Sequence, residues 1–412
     1  MKIHFLLTKG LLKGGGIETY TRGIGSRLVQ RGHDVTVYST RGDDGTPPVV
    51  DGMKVIWLPK IRPYWMEKFC GAAMAAYLEM TARDSAEIIH LHSVAAGAMA
   101  AFLRHQPAPC IVQMHGVEWK RSRWGAVART ALRTLEQCSF ASCDAVTAVS
   151  KTQCDYYAGQ YGSHCEYIPT AVELKAHAMP RLITELGLRP RQYVLFAARL
   201  VAEKGAQHLI PAFRSLATNC DLVIAGEGSE ASRRQLAEMA GDDRRIRFLG
   251  DVRGRLLEEL FSNARVFTQP SELEGLSIGL IEAMSYGLQC VASDIPENRE
   301  AIGDAGLVFR NKDTADLGRV LEIAIRDEAG AAALGARARR RVVELFGWDR
   351  VVSQMETLYR ATLERKLRVA YPVHALPATM DSGNAFSEVF AGQASAGQSK
   401  NDAGRRSAAA GR

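Results

Sequence analysis

The stretch YVLFAARLVAEKG, residues 193–205, decides the fold of this chain. The apolar run from Tyr193 to Ala197 has the length of a strand buried on both faces, and a turn carrying two cations, Arg199 and Lys204, follows it. The same plan recurs downstream in DLVIAGEG (221–228), RIRFLGDV (245–252), RVFTQP (265–270), QCVASD (289–294) and GLVFR (306–310). It also occurs upstream, in KIHFLLT (2–8), DVTVYST (34–40), MKVIWLP (53–59), EIIHLHS (87–93), CIVQMHG (110–116), AVTAVS (145–150) and CEYIPT (165–170). Helical stretches such as residues 17–32 and 124–138 lie between. Strands alternating with helices imply parallel sheets joined by right-handed crossovers.

The two sets of strands are separated near residues 169–188. The expected fold class is therefore α/β, with two Rossmann-like domains facing each other across a cleft. The expected boundaries are 1–172 for the first domain and 173–346 for the second. A helix over 347–370 is expected to cross back to the first domain. Phe346, Val351, Val352, Met355, Leu358 and Leu363 form the apolar stripe of that last helical region. The tail, 371–412, is rich in Ala, Gly, Ser and Gln and reads as disordered.

Composition narrows the function classes. With 412 residues, 47% hydrophobic and 24% charged, the chain is long enough for two cores and ordinary for a soluble protein. No apolar run reaches membrane-spanning length; CGAAMAAYLEM (70–80) and SVAAGAMAAFL (93–103) read as core helices. The N-terminus shows no signal-peptide pattern. The eight cysteines lack CxxC or Cys/His ligand spacing, so reduced cytosolic thiols are expected and a metal site is not. The net charge of +7 suits phosphate-bearing partners or an anionic membrane surface; no nucleic-acid partner is expected.

Four elements suit a phosphate-bearing ligand at strand ends. The first is LLKGGGIETY (11–20), where Gly14, Gly15 and Gly16 let backbone approach a ligand just before a helix. The second is Arg199 with Lys204, an arginine fork and a lysine point charge that suit a diphosphate. The third is Gly226-Glu227-Gly228 after a strand, which gives backbone room beside a nucleotide base. The fourth is SELEGLSIGLIEAMSYG (271–287), in which Gly275, Leu276, Ser277 and Ile278 open a helix and offer backbone N–H groups to phosphate oxygens. Glu274 precedes that helix and Glu282 lies a turn inside it. Carboxylates repel phosphate but bind hydroxyls, so one would hold a transferred sugar and the other a ribose diol.

A basic cluster, Lys120, Arg121, Arg123, Arg129 and Arg133, is interleaved with Trp119 and Trp124. Trp119, Lys120, Arg121 and Arg123 read either as a solvated helix face or as a face meeting lipid headgroups or a phosphorylated acceptor. KIRPYWMEKF (60–69) has the same aromatic and cationic mixture.

EGLSIGLIEAMSYG resembles the E-x7-E motif of retaining family 4 glycosyltransferases, and ARLVAEKG resembles their phosphate-binding Arg and Lys segment. AGEGSE, FLGDV, the GGGIE loop and the strand-end His115 in QMHG are similar to family segments in the same order, over residues 1 to about 366. The resemblance implies a GT-B fold, a nucleotide-diphospho-sugar donor, a glycan acceptor on the N-terminal half, retention of configuration, and neither bound metal nor cofactor. It implies that Glu274 meets the donor sugar and Glu282 the ribose. Arg199 and Lys204 would stabilise the diphosphate, Gly15 and Gly16 would approach phosphates and acceptor, and His115 would lie near the sugar.

Two positions depart from the family pattern: PTA (169–171) stands where Pro-Asn-Gly is frequent, and Leu276 where an aromatic is frequent. HGVEWKRSRWG (115–125) resembles segments of bacterial polysaccharide transferases, which points to surface-polysaccharide assembly. The aromatic and cationic mixture of 60–69 and 119–125 adds the expectation of reversible contact at the inner membrane face to reach a lipid-linked glycan. The rival readings are a non-hydrolysing sugar-nucleotide epimerase, a nucleotide-sugar-binding protein without turnover, and an NAD-dependent reductase. The last lacks a first-strand GxGxxG with its distal acidic residue.

Overall fold

The computed structural model describes residues 1–7, 10–12, 14–41, 46–60, 64–82 and 84–370. The tail from 371, part of the 60–69 stretch (residues 61–63 and the side chains of 64–66) and the first residues after the opening strand lie outside the described residues. Residues Met1–Leu363 form one compact unit, and a second begins at Glu364.

The first sheet contains β1 (Lys2–Leu7), β2 (Asp34–Thr40), β3 (Val49–Val50), β4 (Met53–Leu58), β5 (Ile88–His92), β6 (Cys110–Met114), β7 (Ala145–Ala148) and β8 (Glu166–Tyr167). Their order is β3-β4-β2-β1-β5-β6-β7-β8. The second sheet contains β9 (Tyr193–Ala197), β10 (Asp221–Ala225), β11 (Ile246–Gly250), β12 (Val266–Gln269), β13 (Cys290–Ser293) and β14 (Leu307–Phe309), in the order β11-β10-β9-β12-β13-β14. Each apolar run read from the sequence is a strand, and neighbours pair in parallel except β3 with β4. The extra strand β3 comes from a two-residue hairpin turn. Asp51 and Gly52 both have positive φ (51° and 83°), the conformation an Asp-Gly turn favours.

Strand order reverses between β1 and β5 in one sheet and between β9 and β12 in the other. At such a reversal adjacent crossovers run to opposite faces, which opens a crevice beyond the carboxyl ends of the strands. The loops after β1, β5, β9 and β12 therefore supply whatever the crevices hold.

The helical segments are more broken than expected. Residues 93–103 form two short buried helices, Val94–Gly97 and Ala100–Leu103. The region after 313 forms three helices, Thr314–Arg326, Glu328–Leu345 and Trp348–Ala370. Asp327 caps the second of these through its carboxylate, which accepts from Gly330 N at 2.8 Å. In the last helix the stripe is centred on Val351, Val352, Met355 and Leu363, but Leu358 is only half-buried, and Tyr359 takes the interior place.

This last helix meets the first one, Gly16–Gln30. Arg27 stacks over the Trp348 ring at 4.5 Å, and Glu356 accepts from Arg31 and from His33, each at 2.7 Å. Where the chain passes between the sheets, Val172 N donates to Phe346 O at 3.0 Å, and Val172 bridges Gly347.

Candidate active site

The loops after β9 and β12, neighbours at the reversal of the second sheet, carry the charged residues. Glu274 Oε1 accepts from Lys204 Nζ at 2.6 Å, from Ser271 Oγ at 2.7 Å and from Gln269 Nε2 at 2.9 Å. Its other oxygen, Oε2, has no partner among the described residues. The supporting shell extends inward: Ser293 Oγ donates to Ser271 O, and Asn298 Nδ2 donates to Ser293 Oγ at 2.9 Å. Glu272 N donates to Glu203 O at 2.9 Å, which ties the two loops together. Gln269, Ser271, Ser293 and Asn298 carry no motif that singles them out in the sequence.

The helix Ile278–Ser285 starts at Ser277, whose hydroxyl accepts from Leu280 N at 3.4 Å. Glu282 sits one turn in; its carbonyl accepts from Ser285 Oγ at 2.7 Å, but its carboxyl has no hydrogen bond from the described residues and is held above its ordinary value by burial, partly offset by Lys175. Arg199 is exposed, with no ion pair among the described residues. Leu276 needs a correction: its side chain is 6% exposed and belongs to the hydrophobic core, so only its backbone could meet a donor.

The room allotted to a nucleotide base at Gly226 is also used by the protein. Gly226 has φ +148°, and a Cβ there would fall 1.8 Å from Ala198 O, so the glycine is required by close passage of the β9 and β10 loops. Glu227 is exposed, and its carbonyl accepts from Leu200 N at 2.6 Å.

The first sheet supplies the opposing wall. The helix after β1 starts at Gly16 with Gly15 as its N-cap. A Cβ on Gly14 would lie 3.4 Å from the Arg253 guanidinium, and one on Gly16 would lie 3.1 Å from Ile278 Cδ1. His115, just past β6, is half-buried, and burial lowers its ring to about 4. Its backbone meets the other wall: a Cβ on Gly275 would fall 2.1 Å from His115 O, so only glycine permits this approach. The two walls thus meet at Gly16 with Ile278 and at His115 with Gly275, the residue after Glu274.

Two parts of the chain match family models: residues 14–176 match Glycosyltransferase Family 4, and residues 183–341 match Glycosyl transferases group 1. The chain belongs to the family 4 glycosyltransferases. The phosphatidyl-myo-inositol mannosyltransferase of Mycolicibacterium smegmatis is 26% identical over 86% of this chain and 92% of its own. Among solved structures, the sucrose-phosphate synthase of Thermosynechococcus elongatus superposes with TM-score 0.78 at 22% identity, over 88% of this chain and 99% of its own. Anabaena HepE in complex with UDP-glucose gives 0.73 at 20% identity, over 87% and 99%. These neighbours share the GT-B architecture.

Two further contacts join the halves of this glycosyltransferase at the cleft rim. Glu203 Oε1 accepts from Ser122 Oγ at 2.8 Å and from Ser122 N at 3.1 Å. Glu300 accepts from Lys151 N at 2.8 Å and Thr152 N at 3.2 Å, and so caps the helix Lys151–Tyr161 of the other half.

The basic cluster is partly self-neutralised. The Glu118 carboxylate pairs with Arg121 at 2.9 Å, Lys68 at 3.5 Å and Arg123. These cations hold it at about 2 despite its burial. Trp119 is half-buried, donates to Glu136 Oε1 at 3.3 Å, and has the Arg133 guanidinium over its ring at 5.3 Å. Lys120 lies over the Tyr156 ring at 4.2 Å. The expected outward-facing aromatic anchor is therefore absent at Trp119; what the surface presents is cations: Lys120, Arg123, Arg129 and Arg133. Among the described residues no helix is long and apolar enough to cross a membrane.

Proposed function

We propose that this chain is a retaining, metal-independent hexosyltransferase that moves a sugar from a nucleotide-diphospho-sugar to a lipid-linked glycan during surface-polysaccharide assembly. The observation that carries the reading is Glu274: one carboxylate oxygen is fixed by three donors and the other is left over for sugar hydroxyls, at the crevice where β9 and β12 diverge. A UDP-sugar donor is supported by the UDP-glucose complex of a neighbour with the same fold.

In this reading Glu274 holds the donor sugar and Glu282 the ribose diol. Arg199 and Lys204 take the diphosphate charge as the glycosidic bond breaks, and backbone N–H groups from Gly275 to Ile278 add to it. Fixed cations that meet developing charge make a metal unnecessary to the leaving group. Acceptor and leaving group share one face of the sugar, and a phosphate oxygen takes the acceptor proton. Gly15 and Gly16 leave room for phosphates and acceptor, and His115 contacts a sugar hydroxyl.

The exposed cations beside the cleft support an anionic acceptor environment, and one relative's name specifies a phosphatidyl-myo-inositol acceptor. The enzyme would then be cytoplasmic and dock reversibly on the inner membrane face. A thermal-shift screen of UDP-, GDP-, ADP- and dTDP-sugars, then turnover on lipid-linked acceptors with the product's anomeric configuration read by NMR, tests the reading. Inverted product, loss of turnover in EDTA, or interconversion of the nucleotide sugar without transfer would each overturn part of it. Co-sedimentation with anionic vesicles at low and high salt tests the docking; wild type that ignores such vesicles would remove it.

A further inference from the structure

His115 is the cleft end of a buried row of rings. His90 and His92 lie two residues apart on β5, so they share a face of the sheet, and both are fully buried. Their rings stack with centroids 4.2 Å apart. At the inner end Tyr359 OH, from the last helix, is 2.6 Å from His90 Nδ1. At the outer end His92 Nδ1 is 3.4 Å from His115 Nε2, and these two rings stack at 5.7 Å and 21°. Tyr20 stands edge-on to His115 at 5.2 Å and to His92 at 6.1 Å. Phe5 stands edge-on to His92 at 5.1 Å. The ring of His92 is thus fixed on three sides.

Burial lowers all three imidazoles: His90 to about 3, His115 to about 4, and His92 well below its ordinary value. Each is therefore neutral at neutral pH, with one N–H and one lone pair. Between His92 Nδ1 and His115 Nε2, one nitrogen donates and the other accepts. His92 Nε2 is buried with no partner among the described residues. A proton there would be an orphaned buried N–H, the rarer of the two defects. The His92 proton therefore belongs on Nδ1, pointing at His115.

We propose that His92 is a positioning residue: its Nδ1–H donates to His115 Nε2, fixing the His115 ring in one orientation and one tautomer, with Nδ1–H left over for a hydroxyl of the bound sugar. His115 Nδ1 has no partner among the described residues, as this requires. Through His90 and Tyr359 the last helix anchors the inner end of the row. The proposal rests on the reading of His115 as a sugar contact.

Ring 15N shifts of the full-length, 15N-labelled protein test it without any substrate. The expected result is His115 protonated at Nδ1 and bare at Nε2. His92→Asn, whose amide N–H stands where Nδ1–H was, keeps that tautomer, and His92→Phe loses it. With the nucleotide sugar selected by the screen above, His92→Phe is expected to lose about tenfold to a hundredfold in kcat with the donor KM little changed, as for a misaligned contact. His92→Asn retains most of the rate. A wild-type His115 protonated at Nε2, or His92→Phe with unchanged tautomer and kcat, overturns the proposal. The underlying reading is tested apart by His115→Ala. If that variant transfers at the wild-type rate, the sugar-contact role falls and takes the positioning role with it. If it is impaired while His92→Phe is not, only the positioning role falls.

Discussion

Lys204 Nζ and Glu274 Oε1 lie 2.6 Å apart, a charge pair that spans the crevice between β9 and β12. The two side chains are 19% and 8% exposed, so the pair is shielded from water and each partner depends on the other. In the proposed reading, a diphosphate arriving at Lys204 would compete with this carboxylate. On that reading the lysine would both hold Glu274 in place and meet phosphate charge.

Replacing Glu274 by Gln keeps the size of the side chain and a route to Ser271 but removes the charge Lys204 pairs with. Transfer is expected to fall by at least about a hundredfold, the scale of losing one charge-stabilising group in a transition state. Circular dichroism and the melting profile should show a folded protein. A folded variant with near-normal turnover would remove Glu274 from the chemistry.

Arg199 differs from Lys204 in having no ion pair among the described residues, so Arg199→Ala should leave the melting temperature unchanged. Binding of UDP, followed by calorimetry, should weaken, and kcat should drop about tenfold to a thousandfold. Lys204→Ala should weaken UDP binding too, but also destabilise, because it strands a shielded carboxylate. Equal stability of the two variants would mean that the Lys204–Glu274 pair contributes nothing in solution.

Glu282 is half-buried, its carboxyl receives no hydrogen bond among the described residues, and burial holds that carboxyl above its ordinary value. The folded chain then favours the protonated form more than the unfolded chain does. Stability from this group is full below the unfolded value near 4.5 and declines as pH rises through the folded value. Glu282→Gln should therefore melt higher than wild type at neutral pH and lose that advantage in acid, while binding UDP more weakly. A variant no more stable at neutral pH would show that the site solvates the carboxylate.

His90 and His92 give the opposite sign. Both are held below their ordinary 6.5, His90 near about 3. The unfolded chain takes up protons that the folded chain refuses. Their stability contribution is full above about 6.5 and is lost as pH falls toward the folded values, by about 1.4 kcal/mol per pH unit for each ring. Urea unfolding at several pH values should show this slope, and His92→Asn should flatten it by one ring's worth. An unchanged slope would place a proton, or water, on His92 in the folded state.

The architecture is legible because short apolar runs between helices leave few alternatives to parallel sheets. β3 went unread because it is only two residues long, although the Asp51-Gly52 turn was there to find. The break between Val94–Gly97 and Ala100–Leu103 went unread because an alanine-rich stretch has no polar punctuation to mark it. In the site, Glu274 and Lys204 stand out as charges beside strand ends. Gln269 and Ser293 do not, since a buried amide or hydroxyl shows its use only when its partner is known. Ser122 with Glu203, and Lys151 with Glu300, are 81 and 149 residues apart, and no local pattern links them. His90 and His92 could have been found: alternation along a strand puts both on one face, and two histidines in a run otherwise apolar need a polar neighbour.

The chain passes between its two sheets twice, and at Val172 the passages are hydrogen-bonded to each other through Phe346 O. A lone linker would let the halves wander in every direction. Two passages joined by one backbone hydrogen bond restrict the halves more than one passage does. Any relative motion of the halves is then limited at this junction, which favours the arrangement in which Gly275 meets the His115 carbonyl. The orientational entropy of aligning the walls is thus lowered by covalent connection and one backbone hydrogen bond, before any substrate arrives.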